Sequence, residues 1–259
     1  MKAMWSGSIS FGLVNIPVKL FSGSQSNTLD LDMLRKSDLC PIKYLRVCER
    51  DGKEVPYEEI VKGYEYTDGE YIVLTDKDFE SASLEKTHLI DIVDFVDERE
   101  IDTRYFEKPY YLEPEKTGPK AFALLREALK RSGKVGVANY VLRNRGSIGI
   151  VKPLDNLLVL NQIRYHEEVR EAGELKLPGN ENVREQEVAL ALSLIDQLTA
   201  KFDPAKYKDQ YVDDLKRIIE EKAQGRQPAA PAKQPPPPKV ADMMALLKES
   251  IKQKRKEAA

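Results

Sequence analysis

The chain has 259 residues, of which 41% are hydrophobic and 32% charged, and its formal net charge is −2. That is enough for one large domain or two small ones with a real core. No apolar run approaches the roughly 18 residues of a membrane span, and Ser10 and Gly12 interrupt the only N-terminal candidate for a signal-peptide core, Ile9–Leu13, so a cytosolic protein is expected.

Trp5–Leu20 interleaves Ser8, Ser10, Gly12 and Asn15 with Ile9, Phe11, Val14 and Ile16. This predicts two short strands or one bulged strand, with Gly12 at the bulge and Pro17 near an edge. Trp5, Ile9, Phe11 and Val14 read as core, and Lys19 as a cation able to face a basic channel. Ser22–Asn27 is a flexible connection. Leu34–Lys53 then carries Arg35, Lys36, Lys43, Arg46, Arg50 and Lys53 against three acids. Lys43–Cys48 reads as a strand, Asp51-Gly52 as a tight hairpin turn and Lys53–Val55 as the return. Such a ribbon can lie along a phosphate backbone, or it can be a solvated edge hairpin on which Lys blocks pairing. Cys40 and Cys48 are the only cysteines and His88 and His166 the only histidines. Without ligand spacing they predict two reduced thiols and no metal site.

Tyr71–Leu74 is β-prone, and Thr75-Asp76 can cap a short helix over Lys77–Ser81. Thr87–Val96 predicts a strand with His88 on one face. Arg104–Leu112 predicts another, whose aromatics Tyr105, Phe106, Tyr110 and Tyr111 can stack bases but read better as core between Pro109 and Pro114. Pro119–Ser132 predicts a helix with an apolar stripe of Ala121, Phe122, Leu124, Leu125, Ala128 and Leu129, closed by Gly133. Lys130, Arg131 and Lys134 sit at its C-terminus, where cations offset the helix dipole. Val135–Arg143 is a strand, Asn144–Ser147 a turn, and Ile148–Val151 and Asn156–Ile163 extend the sheet, with Pro153 and Asp155 at a turn.

Charge is unevenly placed. Lys120–Lys152 holds eight basic residues and one acid, whereas Asp91–Glu100 is acidic. That pattern is expected if one face meets a polyanion and another meets solvent. Arg143 and Arg145 flank a turn with no acid between Lys130 and Lys152, so they read as an unpaired phosphate clamp.

After Tyr165 the pattern turns helical. Asn182 can cap a helix over Val183–Phe202, with apolar Val188, Ala191, Leu192, Ile195, Leu198 and Phe202 on one face. Pro204 starts another, ending near Gly225, and these helices can cover their own barrel or a second subunit. Gln227–Lys239, with Pro235–Pro238, is an extended linker. Ala241–Lys256 reads as a basic amphipathic helix that can bind DNA, a partner groove or a membrane surface. Residues 227–259 hold seven basic and three acidic residues. No G-x-x-x-x-G-K-[ST] loop, H-E-x-x-H helix, G-x-S-x-G elbow or dinucleotide fingerprint occurs. The acid pairs Glu58-Glu59 and Asp97-Glu98 read as solvated, so no catalysis and no cofactor are expected.

Five words, in order, resemble one family: W-S-G-S-I-S-F-G-L-V-N-I-P-V-K-L (Trp5–Leu20), R-V-C-E (Arg46–Glu49), G-K-E-V-P-Y-E-E-I-V-K-G-Y-E-Y (Gly52–Tyr66), K-P-Y-Y-L-E-P (Lys108–Pro114) and F-D-P-A-K-Y-K-D-Q-Y (Phe202–Tyr211). The chain resembles the bacterial Ku proteins, which bind DNA double-strand ends, over roughly residues 1–223. The resemblance implies a mixed, mainly β fold: a Ku-type β-barrel with a DNA-spanning bridge, a helical C-terminal arm and a flexible basic tail. The corresponding divisions are 1–175 for the barrel with the bridge at about 22–70, 176–226 for the helical arm, 227–240 for the linker and 241–259 for the terminal helix. It further implies a homodimeric ring that threads onto DNA ends without reading sequence, works in non-homologous end joining and recruits an ATP-dependent multidomain DNA ligase, in a cytoplasmic, nucleoid-associated setting. A lateral coat on DNA or RNA is the rival reading. The expected DNA contacts are Lys19, Arg35, Lys36, Lys43, Arg46, Arg50, Lys53, Lys134, Arg143 and Arg145, joined in the tail by Lys248, Lys252, Lys254, Arg255 and Lys256.

Overall fold

A computed structural model describes residues 1–82, 88–142, 145–179, 183–227 and 246–251. By its internal contacts the chain divides into two units, Met1–Ser26 with Asp30–Glu171, and Asn27–Leu29 with Ala172–Ala259.

The first unit is built on a closed seven-stranded barrel. Its strands are β1 (Trp5–Phe11), β2 (Val14–Ser22), β5 (Leu89–Asp97), β6 (Phe106–Pro114), β7 (Lys134–Leu142), β8 (Arg145–Leu154) and β9 (Leu157–Ile163). They run β1-β2-β6-β9-β8-β7-β5 around the barrel. Closure comes from the parallel pairing of Ser8–Ser10 in β1 with Leu89–Asp91 in β5, Ile9 opposite Ile90; the other barrel pairings are antiparallel. Two-residue alternation puts Ile16, Val18 and Leu20 of β2 inside and Lys19 outside. Ile9, Ile90, Leu112, Ala138, Val151, Leu158 and Leu160 complete the core from the other strands.

Trp5–Phe11 and Val14–Ser22 are two strands joined at Gly12-Leu13, not one bulged strand. Val14 is 38% exposed beside that turn and is not core, while Trp5 and Phe11 pack against the core from half-buried positions. Pro17 lies on no edge, since β2 runs between β1 and β6. Its carbonyl accepts the Glu115 N–H at 2.9 Å. Its missing N–H would point to that same side, where pairing with β6 has already ended at Val18.

The helix α2 (Pro119–Ser132) has the predicted bounds, with Pro119 in its first turn and Gly133 in the left-handed region at φ 66°. Phe122, Leu125 and Leu129 enter the barrel core, but Leu124 is 66% exposed, so the buried stripe is narrower than expected. Tyr110 is buried, in keeping with core packing of that aromatic strand. Strand β8 begins earlier than predicted, with Arg145 already paired with Leu142.

Between β2 and β5 the chain makes a long excursion. It contains a 3-10 turn (Tyr57–Glu59), the hairpin β3 (Lys62–Thr67) with β4 (Glu70–Leu74), and α1 (Asp76–Ala82). Thr75 caps α1, its N–H and Oγ1 both donating to the Asp78 carboxylate at 2.7 Å. Across residues 30–81 no side chain is buried.

The second unit carries α3 (Glu185–Leu198) and α4 (Gln210–Ala223). Helix α3 stops four residues short of Phe202, with extended Thr199 as its C-cap, and Phe202 instead stacks on Tyr207. Pro204 opens only a single 3-10 turn. The Asp209 carboxylate accepts the Val212 N–H at 3.2 Å and starts α4 there. The expected Asn182 cap lies outside the described residues.

Candidate nucleic-acid interface

The predicted basic ribbon is present in reduced form. Its strands shrink to a single pairing of Val47 with Glu54, supported by Cys48 N–H to Lys53 O and Val55 N–H to Arg46 O, both 2.8 Å. The turn is not a two-residue Asp51-Gly52 loop. It spans Glu49–Gly52, with Gly52 at φ 69° donating its N–H to Cys48 O at 2.8 Å. A second small loop closes where Leu34 pairs with Pro41.

Within this excursion the cations differ in commitment. Arg35 forks onto Asp38, with Nε at 2.8 Å from Oδ1 and a terminal nitrogen on the other oxygen. That guanidinium holds the Asp38 carboxyl below its ordinary value, helped by the Cys40 N–H. Lys53 pairs with Asp51 at 3.2 Å. Arg46 lies over the Tyr57 ring, 5.2 Å from its centre, a cation–π contact that engages no carboxylate. Lys36, Lys43 and Arg50 are exposed, and among the described residues they have no ion-pair partner. Lys62, absent from the predicted set, sits 4.7 Å over the Phe79 ring.

On the barrel the picture reverses. Lys134, the first residue of β7, is paired in register with Asp97, the last of β5, and its Nζ is 2.7 Å from that carboxylate. The bond raises the Lys134 pKa. Lys152 of β8 ends on Glu98. Arg145 is not half of an unpaired clamp: it donates to Glu168 at 3.1 Å. Arg143 and Asn144 lie outside the described residues. Arg126 donates to the Asn156 carbonyl at 2.6 Å and Arg131 to Glu127 at 2.7 Å. Asp97 and Glu98 stay exposed to solvent but each has a basic partner, so the basic and acidic stretches meet at these pairs. Antiparallel pairing of β5 with β7 lays one against the other. These acids were the residues missed by sequence reasoning; the acidity of 91–100 was visible, but its partner required the register.

Lys19 points outward from β2, beside Ser6 and Glu113 on the flanking strands. In the tail only Lys248 is described, exposed on a helical stretch over 246–251; Lys252, Lys254, Arg255 and Lys256 lie outside the described residues. Cys40 and Cys48 are exposed free thiols. Among the described residues no group of three or more His, Cys, Asp or Glu side chains is placed to hold a metal ion, and no helix is long and apolar enough to cross a membrane. The arrangement can present point charges and one ring-backed guanidinium to a polyanion.

Comparison with known proteins adds to this geometry. Residues 10–190 match the family model described as the Ku70/Ku80 beta-barrel domain. A Bacillus subtilis protein named non-homologous end joining protein Ku is 43% identical over 99% of this chain and 83% of its own length. Proteins of the same name from Opitutus terrae and Cupriavidus necator are each 41% identical, covering 98% and 99% of this chain and 92% and 79% of their own lengths.

Proposed function

This chain belongs to the Ku family, and on that premise we propose that it is a sequence-independent binder of double-stranded DNA ends in non-homologous end joining. The single observation that carries the reading is the excursion between β2 and β5. Among its described residues it is exposed and has no core of its own, its stretch Leu34–Lys53 sets six basic residues against three acids, and it leaves and re-enters the closed barrel. Such a segment suits a bridge laid along a duplex. Its uncommitted cations, Lys36, Lys43, Arg46 and Arg50, lead the phosphate contacts, with Arg35, Lys53 and Lys19 beside them. Lys134 and Arg145 contribute from the barrel, Arg143 is counted with them from the sequence alone, and the tail cations Lys248, Lys252, Lys254, Arg255 and Lys256 add positive charge. Phosphate contacts of this kind position a protein without specifying bases.

The working form is a homodimeric ring that brings the end-joining ligase to the break. Support for dimerisation comes from apolar side chains left in water: Leu45, Tyr64, Tyr66 and Tyr71 on the excursion, and Leu192, Ile195 and Leu198 on α3. Exposed apolar surface on this scale marks an interaction site. The divisions proposed for the chain are a barrel with bridge over 1–175, a helical arm over 176–226, a linker over 227–240 and a terminal helix over 241–259.

Competition on a short linear duplex at fixed salt tests the threaded ring. Circles cut once are expected to compete, and covalently closed circles are not. Equal competition per base pair would replace the ring with a protein that coats DNA laterally.

A further inference from the structure

Arg145 opens β8 and is still 77% exposed at its side chain, yet one terminal nitrogen is already engaged by Glu168 Oε1 at 3.1 Å. The other oxygen of that carboxylate, Oε2, accepts the Tyr165 N–H at 2.9 Å, so the acid is held from two sides. The segment that carries it is itself pinned. The Tyr105 hydroxyl and His166 Nδ1 share a 3.1 Å hydrogen bond. Arg164 donates from its guanidinium to the Phe106 carbonyl at 2.9 Å and from its backbone N–H to the Tyr105 carbonyl, also at 2.9 Å. Glu168 is thus a positioned anion rather than a drifting surface acid. Its contact with Arg145 is end-on and uses one of the five guanidinium donors. A phosphate can take that fork two donors at a time, with a stronger charge-assisted pair.

We propose that Glu168 sets the affinity of this protein for a nucleic-acid backbone: it occupies Arg145 in the free protein and is displaced by a phosphate on binding. The inference rests on the DNA-binding reading above and deepens it by naming the competitor that a phosphate must replace. Glu168 acts through Arg145 and is a positioning residue.

The test is a double-mutant cycle on the full-length chain, with a short blunt-ended duplex as the probe. Glu168→Gln keeps an acceptor for the Tyr165 N–H and removes the charge; it is expected to tighten binding about two- to fivefold, the range for release of one exposed ion pair. In an Arg145→Ala background most of that gain should vanish. Glu168→Asp, which keeps the charge and shortens the reach, is expected to recover part of the gain. A merely structural role predicts weaker binding, not tighter. An unchanged Kd for Glu168→Gln overturns the proposal, as does a gain of equal size without Arg145, which would reveal general repulsion of the duplex. If the wild-type chain does not bind the duplex at all, the DNA-binding reading falls and takes this inference with it; the other two failures leave that reading intact.

Discussion

The cations of β7 and β8 and those of the excursion are one class of sequence signal, yet the first are paired with acids while the second are divided, Arg35 and Lys53 paired and, among the described residues, four others not. Lys134, Lys152 and Arg145 each close on a carboxylate. Lys36, Lys43 and Arg50 do not, and Arg46 leans on a ring. The cause is neighbourhood rather than composition. Register sets Asp97 opposite Lys134, while Lys152 and Arg145 meet Glu98 and Glu168 from the short 3-10 turns Glu98–Glu100 and His166–Glu168 that follow barrel strands. The excursion has pairing only at isolated points and in one two-stranded hairpin; its long side chains find few fixed partners beyond their own turns. A count of Lys and Arg along the chain cannot separate these cases. Exposed ion pairs are worth about 0–1 kcal/mol, so the barrel cations remain exchangeable, but they begin from a lower electrostatic advantage.

The largest effect is expected from breaking that contrast at its source. Replacing Lys36, Lys43, Arg46 and Arg50 together by Gln should flatten the salt dependence of duplex binding by about three to four units and weaken it by two to three orders of magnitude near physiological salt. Replacing Lys134 and Lys152 by Gln should change the slope by less than about one unit. Fluorescence anisotropy across a salt series reads both, and equal slopes for the two sets would erase the distinction.

Stability should divide along the same line. Leu158→Ala removes a fully buried barrel side chain and is expected to cost about 2–5 kcal/mol in urea unfolding. Leu45→Ala, at a side chain 65% exposed on the excursion, should leave barrel unfolding within about 0.5 kcal/mol. A large loss at Leu45 would mean that the excursion is built into the barrel's cooperative unit.

A smaller, pH-dependent effect belongs to the barrel alone. Burial pushes the pKa of the Tyr140 hydroxyl up, against a smaller opposing effect of the Ser147 side chain across from it on β8. The unfolded phenol titrates near its ordinary value of about 10. Above that pH the unfolded chain releases a proton that the folded one retains. The contribution is therefore present below pH 10 and declines as pH rises, by up to about 1.4 kcal/mol per pH unit. Unfolding at pH 9, 10 and 11 should show this decline in the wild type and a weaker one in Tyr140→Phe. Parallel curves would dismiss Tyr140 as the source.

The smallest change sharpens the contrast instead. Asp38→Asn releases Arg35 to join the uncommitted cations and should tighten duplex binding by less than about threefold. Looser binding would show that the Arg35–Asp38 turn shapes the basic segment rather than masking it.

Legibility from sequence followed locality. Helix α2 could be read to the residue because Pro119, its apolar spacing and Gly133 all lie within one segment. Helix α4 begins later than predicted because Pro204 opens only a 3-10 turn and the Asp209 cap, an equally local signal, sets the start. Asp68-Gly69, a turn pair of the kind read at Asp51-Gly52, joins β3 to β4, a hairpin not anticipated at Lys62. The closing contact of Ile9 with Ile90 and the pairing of Lys134 with Asp97 join distant stretches. No local periodicity encodes them. The family words carried the barrel, and the fate of the cations stayed hidden until the register was known.

Because the excursion leaves from β2 and returns at β5, its two ends are held by the same closed sheet. Covalent continuity through the exposed stretch is thus redundant for the barrel. A protease that nicks the chain once near the Glu49–Gly52 turn would sever it in two without releasing either piece. The N-terminal fragment would stay seated through β1 and β2 against β5 and β6. Two bands on a denaturing gel that travel as one species under native conditions are the expected signature.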